Sequence, residues 1–176
     1  MRGPREAHRV CTGYETETYL KQKVARLAST YAIASEPTSL TGWGEKQCEI
    51  WEHADPYLYL RTTKDNRIIV GGEDEDFRDP RRRDLLIPRK AETLAKRFRE
   101  LFPDIAFETA YAWTGTFGET EDGLAYIGEH RDWPNAFFAL GYGGNGITFS
   151  LLAAEIIRDA LLGRRNEDAE LFRFDR

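Results

Sequence analysis

The sequence predicts an α+β protein in which antiparallel or mixed strand pairs carry one covering helix and end in a strand, a turn and a helix. Three observations lead to this prediction. Two apolar runs flank a short polar turn at residues 64–66, and an apolar stripe at helical spacing lies in residues 87–102. Near the end of the chain, four glycines in six residues separate an apolar run from a last periodic segment.

Composition excludes several classes of protein. The chain has 176 residues, 41% of them hydrophobic, and a net charge of −5, which suits one compact domain or a large piece of one. This charge argues against a general nucleic-acid binder, and the basic residues of segment 78–83 are interleaved with acid and proline as in a solvated loop. No apolar run has the length of a membrane span, and there is no signal-peptide core. Cys11 and Cys48 are unpatterned, which favours a reducing cytoplasm, and three scattered histidines predict no metal site.

The first third of the chain predicts short elements with few neighbours. Residues 10–13 end a strand at a glycine, and residues 15–23 predict a short helix. Alternation in residues 29–36 predicts a strand, and residues 48–53 predict another. A strand so near the start suggests that the chain begins in the middle of something larger.

Residues 57–61 and 67–71 predict a β-hairpin. Alternation places Tyr57, Tyr59 and Arg61 on one face of it. Two interpretations stay open for this face: a half-solvated sheet surface, or a binding surface whose phenols and guanidinium suit a small substrate with a carboxylate. The hairpin leads into an acidic loop, residues 73–76, whose charges are expected to face water.

The middle of the chain predicts a helix from Ile87 with Pro88 in its first turn, ended by Pro103. Its apolar stripe is expected to be core: Leu94, Ala95, Phe98, Leu101 and Phe102. Residues 105–113 then predict a strand, residues 114–123 a glycine-rich loop, and residues 124–128 a short strand.

The last strand, residues 135–140, leads into the glycine-rich turn and a helix. Unpaired N–H groups and the positive end of a helix dipole would face an electron-rich group there, and glycine allows it to approach the main chain. Two alternatives are weighed against such a cradle. Gly141-x-Gly143-x-x-Gly146 matches the dinucleotide fingerprint, but no further βαβ unit follows it. A turn without a ligand would explain the glycine density poorly.

An ordered series of motifs resembles the C-terminal third of the FAD-dependent oxidoreductases of the D-amino-acid oxidase family, which includes glycine and sarcosine oxidases. The resemblance rests on Thr114-Gly115, on segments 122–128 and 135–148, and on a helix ending near Gly163. Upstream, residues 57–72 resemble the family's substrate-domain hairpin, and residues 11–13 resemble the end of its "ATG" strand beside the cofactor.

The resemblance implies FAD as cofactor and oxidation of the C–N bond of a small amine or amino acid by hydride transfer to flavin N5. It implies that the flavin is bound by Thr12, Gly13, Gly115, Gly143, Gly144, Asn145, Gly146, Ile147 and Thr148, and that Tyr57, Tyr59 and Arg61 bind substrate. Family chemistry of this kind depends on positioning and desolvation, so no residue is assigned a catalytic role. Glycine-oxidase-like sequences carry a carboxylate-binding arginine near the position of Phe117, which is absent here. Either Arg61 takes the carboxylate, or the substrate is an amine without one.

The resemblance also implies a domain organisation. Residues 1–26 correspond to a tail, the end of a flavin-domain strand and a short helix, residues 27–112 to the substrate-binding domain, and residues 113–176 to the C-terminal flavin-domain segment. The family's N-terminal Rossmann half has no counterpart before Thr12, so the chain is expected to be a fragment that meets a missing half or self-associates. The alternative is a non-catalytic truncated remnant or interaction module that keeps the fold and binds no flavin.

Overall fold

The computed structural model describes residues 8–9, 13–54 and 56–176. The chain forms two compact units. The discontinuous unit comprises Met1–Leu27 and Phe117–Arg176, and the sheet unit comprises Ala28–Thr116. The domain boundaries predicted after residues 26 and 112 lie close to these divisions. The flavin-binding and substrate-binding roles of the two units stay predictions.

The sheet unit is built on five strands in the order β3-β4-β5-β2-β6. These strands are β2 (Arg26–Ser35), β3 (Ile50–Trp51), β4 (Leu58–Thr62), β5 (Ile68–Asp76) and β6 (Thr109–Glu119). The predicted hairpin is present as β4 and β5, which pair antiparallel with Tyr59 opposite Gly71. The first two residues of β2 and the last three residues of β6 belong to the discontinuous unit.

One helix, α2 (Ile87–Leu101), covers the core of the sheet unit. Leu94, Ala95 and Phe98 are buried against apolar side chains of the strands, among them Tyr31, Ile33, Leu58, Leu60, Ile68 and Val70. The predicted stripe is wrong at Leu101, which is 51% exposed. The helix ends there, since Phe102 has left helical geometry and packs against Trp43 and Phe98 instead.

Three predictions in the sheet unit are wrong. The basic segment 78–83, expected to be a loop, begins helix α1 (Pro80–Leu85), because the Asp79 side chain accepts from the Arg82 N–H at 2.8 Å as an N-cap. The expected glycine-rich loop at residues 114–123 is strand as far as Glu119, because β6 pairs beside β2. The acidic residues 73–76 belong to β5 and not to a water-facing loop.

The discontinuous unit contains a three-stranded sheet in the order β1-β8-β7. Its strands are β1 (His8–Arg9), β7 (Tyr126–His130) and β8 (Trp133–Leu140), with β1 parallel and β7 antiparallel to β8. Helix α3 (Gly146–Leu161) packs Phe149, Ala153 and Ile156 against Ala125 and Ile127. A second cluster joins Leu20, Val24, Ala136, Phe138 and Phe174.

The helix predicted at residues 15–23 is instead a 3-10 helix, Gly13–Tyr19. The Thr18 hydroxyl donates to the Glu15 carbonyl at 2.7 Å, and such local side-chain bonds compete with an α-helical ladder. The α+β class, the covering helix and the terminal strand, turn and helix are confirmed. Among the described residues, no helix is long and apolar enough to cross a membrane.

Candidate functional site

The glycine turn, residues 143–148, joins β8 to α3 in the discontinuous unit. The Gly143 N–H donates to the Gly118 carbonyl at 2.9 Å, and the Asn145 N–H donates to the Tyr142 carbonyl at 3.0 Å. Gly143 has φ +52°, a left-handed conformation that glycine adopts without strain. These bonds fix the path of the backbone into the helix.

The first turn of α3 contains backbone N–H groups that have no partner in the helical ladder. The helical ladder begins with the Phe149 N–H, which donates to the Asn145 carbonyl at 3.0 Å, and the Asn145 side chain does not cap the helix. The N–H groups of Gly146, Ile147 and Thr148 therefore precede the ladder. Asn145, Ile147 and Thr148 are exposed. The turn thus offers hydrogen-bond donors at the positive end of a helix of 16 residues.

Gly144 is not required by packing inside the chain. A Cβ atom at Gly144 would meet no atom within 4 Å, and its φ lies outside the left-handed region. Any residue could therefore occupy this position in the described fold. A bare backbone here fits the flat edge of the flavin that the family resemblance implies, since a side chain would keep such a ring away from the N–H groups.

Tyr142 lies directly before the glycine turn in the chain and packs beside it. Its ring packs against Phe149 with centroids 6.3 Å apart. Burial raises the pKa of the Tyr142 phenol, so the group stays neutral at physiological pH. The Tyr142 side chain therefore adds no charge beside the N–H groups of the first turn of α3.

The other predicted flavin-binding residues lie in different places. Thr12 falls outside the described residues. Gly13 begins the 3-10 helix of the discontinuous unit with φ +59°. Gly115 lies on β6 in the sheet unit, where its Cβ would meet the Thr30 methyl at 3.6 Å. Gly13 thus shares a unit with the glycine turn, and Gly115 does not.

The predicted substrate residues lie on the face of β4 opposite the core. Leu58 and Leu60 are buried, whereas Tyr57 and Tyr59 are half-buried and Arg61 is exposed. The Tyr57 and Tyr59 rings stack with centroids 6.4 Å apart. Gly71 permits this arrangement, because a Cβ there would overlap the Tyr59 ring.

Trp51 and Asp74 complete this surface, which we call the aromatic face (Trp51, Tyr57, Tyr59 and Asp74). Trp51 lies directly opposite Tyr59 across the β3–β4 ladder, and its ring centroid is 6.5 Å from that of Tyr57. The Tyr57 hydroxyl donates to Asp74 Oδ2 at 2.9 Å. Neither residue was predicted from the sequence. A two-residue strand does not reveal the register that pairs Trp51 with Tyr59, and the acidic residues 73–76 were expected to face water.

A bulge in β5 decides where Asp74 points. Glu73 has φ +58°, and the pairing of β2 with β5 shifts register between Ser29 and Tyr31. Such an irregularity re-aims the side chains that follow it. Glu73 and Glu75 contact cations of α2, while the intervening Asp74 joins Tyr57.

Those α2 cations form a buried ionic cluster beneath the bulge. Lys90 is 6% exposed, and its Nζ lies 2.9 Å from Glu75 Oε1 and 3.6 Å from Glu73 Oε2. Arg97 bridges Glu73 and Glu52, at 2.8 Å each. Because a buried charge without its partner is costly, this cluster holds Glu73 on the α2 side and so holds Asp74 on the other.

The pKa of the Tyr59 phenol depends on burial and on two charged neighbours at the aromatic face. Burial raises the pKa of Tyr59, the Asp74 carboxylate raises it further, and the Arg61 guanidinium opposes both. Tyr59 is therefore a neutral hydrogen-bonding group at physiological pH, in a field where the negative charge of Asp74 outweighs the positive charge of Arg61.

A cavity of about 850 Å³ lies elsewhere in the discontinuous unit. It is lined by residues of β7, the second half of α3 and the C-terminal segment, including His130, Ile156 and Phe174. No residue of the glycine turn lines it. Within the described part of the chain, no three His, Cys, Asp or Glu side chains are grouped as metal ligands.

Comparison with known proteins identifies relatives of the chain. Residues 8–160 match the family described as FAD dependent oxidoreductase, DAO. The chain is 33% identical over 112 residues to a glycine oxidase of Geobacillus kaustophilus, an alignment that covers 63% of this chain and 28% of that protein. It is 35% identical over 115 residues to gamma-glutamylputrescine oxidoreductase of Escherichia coli, covering 65% of this chain and 24% of that protein.

The solved structures agree with the sequence matches at the level of fold. The crystal structure of glycine oxidase from Geobacillus kaustophilus superposes with a TM-score of 0.69 at 18% identity, covering 92% of this chain and 42% of that one. The chain therefore spans less than half of the length of the relatives that it matches.

Proposed function

Because the chain belongs to the DAO family of FAD-dependent oxidoreductases, we propose that it carries the flavin-edge and substrate-binding parts of an enzyme that oxidises the C–N bond of a small amine or amino acid. The discontinuous unit supplies the glycine turn, and the sheet unit supplies the aromatic face. When bound, FAD would supply the hydride acceptor, its N5 atom.

The observation that carries this proposal is the bare backbone at Gly144 beside an α3 N-terminus that has no side-chain cap. The N–H groups of this N-terminus would hold the pyrimidine edge of the flavin, where reduction leaves negative charge. Backbone donors held in place by a helix stabilise such charge without reorganising, which is the electrostatic contribution that protein groups make most effectively.

The aromatic face would bind and orient the substrate. Tyr57 and Tyr59 present rings and hydroxyls, and Arg61 lies beyond them on the same face of β4. These groups exclude water and position the substrate C–H, while none of them needs to act as a strong general base. The name of the Escherichia coli relative, gamma-glutamylputrescine oxidoreductase, supports an amine, and that of the Geobacillus relative, glycine oxidase, supports an amino acid.

The proposal is tested by Gly144→Val in a reconstituted, flavin-loaded full-length form of the protein, with anaerobic stopped-flow reduction as the measurement. A valine side chain would separate the flavin edge from the N–H groups, so we expect loss of bound flavin or a rate of flavin reduction lowered at least about tenfold. The control is Gly163→Ala. Gly163 follows α3 and has φ +67°. Its replacement should cost on the order of 1 kcal/mol of stability while flavin stays bound. Wild-type flavin content and reduction rate in Gly144→Val would refute the assignment of the turn.

A second candidate function is an interaction module that keeps this fold without flavin. The exposed apolar side chains of α3 favour it: Ile147 is 91% exposed and Leu151 is 64% exposed. Flavin-loaded protein reduced by an amine or amino acid would exclude this candidate. A protein that shows no flavin reduction but captures a partner through α3 would support it.

A further inference from the structure

The cavity of the discontinuous unit combines apolar side chains with an excess of positive charge, and no residue of the glycine turn lines it. We propose that this cavity binds a small carboxylate with an apolar body. The Arg164 guanidinium would pair with the carboxylate, the His130 ring N–H would donate to a ligand oxygen, and the apolar side chains would cover the body. This site goes beyond the proposed function and does not depend on it.

The size and the apolar side chains of the cavity favour a small organic molecule. Its volume is about 850 Å³, and sites that hold small molecules typically have volumes of roughly 300–1,000 Å³. Ile156 and Ala160 line the cavity one turn apart on α3, and Phe137 of β8 and Phe174 of the C-terminal segment line it as well. Removing the apolar part of a ligand from water against these side chains is favourable.

His130 offers the cavity a hydrogen-bond donor in a fixed position. The residue is 1% exposed, and its ring packs edge-to-face on Phe174 with centroids 5.1 Å apart. The Asp132 N–H donates to His130 Nδ1 at 3.2 Å, so the ring proton lies on Nε2. Nε2 makes no hydrogen bond with another described residue. Because His130 lines the cavity, this N–H is available to a ligand oxygen there.

The charges around the cavity favour an anion. Among the described residues that line it, four are cations and two are anions: Arg131, Arg164, Arg173 and Arg176 against Glu129 and Asp175. Glu129 is already engaged, since its Oε1 accepts from the Asn135 N–H. Concave surfaces lined by one sign of charge concentrate ligands of the opposite sign.

Arg164 is the cation that remains for a ligand. Arg131, Arg173 and Arg176 each lie beside a carboxylate of the chain, whereas Arg164 forms no ion pair with another described residue. The Arg164 N–H donates to the Asp159 carbonyl at 2.8 Å, which fixes the start of its side chain just after α3. A guanidinium forms charge-assisted hydrogen bonds with a carboxylate, and these are stronger than neutral ones.

The test is isothermal titration calorimetry of the 176-residue chain with octanoate at neutral pH and low salt. Two ligands with the same apolar chain serve as comparisons: octan-1-ol is neutral, and octylamine is a cation. We expect saturable binding of octanoate, at least about tenfold weaker binding of octan-1-ol, and still weaker binding of octylamine. No binding of octanoate, or equal affinity for the three ligands, would overturn the proposal.

Two pairs of variants locate the ligand. Arg164→Gln should lower the affinity for octanoate at least about tenfold, whereas Arg165→Gln removes a neighbouring exposed arginine that does not line the cavity and should bind like the wild type. Ala160→Phe places a ring in the cavity and should abolish binding. Its control is Ala154→Phe, an exposed position of α3 outside the cavity, which should bind like the wild type.

His130→Phe tests the ring N–H, because it keeps an aromatic ring beside Phe174 and loses the donor. Affinity for octanoate should fall several-fold. Since His130 is buried, the pairs of surface variants keep the proposal testable if this variant does not fold.

Wild-type affinity in Arg164→Gln or in Ala160→Phe would refute the assigned site, as would an equal loss in Arg165→Gln. These outcomes are distinguishable from those of the flavin experiment, because the titration contains no FAD and the cavity contains no residue of the glycine turn. Loss of the oxidoreductase assignment would leave a carboxylate site intact, and loss of the carboxylate site would leave the oxidoreductase assignment intact.

Discussion

At the scale of single residues, the chain uses charge to secure its turns. Asp122 and Gly123 form the turn before β7, where Asp122 Oδ1 accepts from the Leu124 N–H at 3.1 Å. Arg176 donates two hydrogen bonds to the same carboxylate, from Nε to Oδ2 at 2.7 Å and from Nη2 to Oδ1 at 3.0 Å. Its guanidinium carbon lies 3.8 Å from the Tyr126 ring centroid. One arginine thus ties the C-terminal segment to the turn that precedes β7.

The first prediction concerns pH and this turn. The Arg176 hydrogen bonds, with that of Leu124, hold the pKa of Asp122 well below its usual range. Because the pKa in the folded state is lower than in the unfolded state, the stabilisation is fully present above about pH 4 and is lost as pH falls. Asp122→Asn should therefore lower the free energy of unfolding at pH 7, and the difference from wild type should shrink below about pH 4.

Urea denaturation at a series of pH values measures this difference. Asp104→Asn, an exposed aspartate in the turn after α2, is the control and should match the wild type throughout. A deficit for Asp122→Asn that is equally large at pH 7 and at pH 2 would mean that the charge of Asp122 does not carry the effect.

At the scale of elements, the packing of α2 decides the stability of the sheet unit. Phe98 is fully buried and contacts Trp43, Phe102 and Phe107, with its ring centroid 4.7 Å from that of Phe107. Leu101, which the helical stripe placed in the core, lies at the exposed end of the same helix. The two positions look alike in the sequence and differ in the fold.

The second prediction follows from this contrast. Phe98→Ala should lower the free energy of unfolding by about 3–5 kcal/mol, through lost burial and the cavity left behind. Leu101→Ala should change it by no more than about 0.5 kcal/mol. Chemical denaturation followed by circular dichroism compares the two. Similar losses in both variants would show that the end of α2 packs more tightly than described.

At the scale of the whole molecule, each unit presents a surface that its own core leaves exposed. In the discontinuous unit this surface lies on α3, where Ile147 and Leu151 are one helical turn apart. In the sheet unit it is the aromatic face. Exposed apolar patches of this kind mark sites of interaction.

The third prediction concerns flavin retention by these 176 residues. In the proposed function the glycine turn would offer donors to one edge of a flavin, whereas the family resemblance places the pyrophosphate-binding fingerprint in a segment that this sequence does not contain. We expect the purified chain to bind FAD weakly and to lose it during gel filtration. A yellow protein that elutes with stoichiometric FAD would contradict this expectation.

The fourth prediction concerns self-association through α3. The double variant Ile147→Ser/Leu151→Ser should reduce self-association, measured as the concentration dependence of the sedimentation coefficient, because it removes the exposed apolar stripe. Leu85→Ser changes an equally exposed leucine on α1 and should sediment like the wild type. A wild-type chain that is monomeric at high concentration would refute the role of α3.

Local periodicity made part of this structure predictable from sequence. The alternation in β4 separates Tyr57 and Tyr59 from the buried Leu58 and Leu60, and the 3.6-residue stripe identifies α2, because both patterns depend on neighbours within one element. The glycine turn was visible for the same reason: a strand, a cluster of glycines and a helix follow one another directly in the chain.

Tertiary structure alone decided the features that depend on distant partners. The acids of residues 73–76 are equivalent in sequence, yet the bulge at Glu73 and the buried Lys90 assign Glu73 and Glu75 to α2 and Asp74 to Tyr57. Trp51 belongs to the aromatic face because the register of β3 and β4 places it opposite Tyr59. Strand β6 extends to Glu119 because it lies beside β2 in the sheet. The sequence by itself determined the hairpin of β4 and β5, helix α2 and the terminal strand, turn and helix, but not α1 or the extent of β6. Which charge lies at the aromatic face was decided by the pairing of strands far apart in the chain, because register and ion pairing are properties of the assembled sheet and not of any single segment.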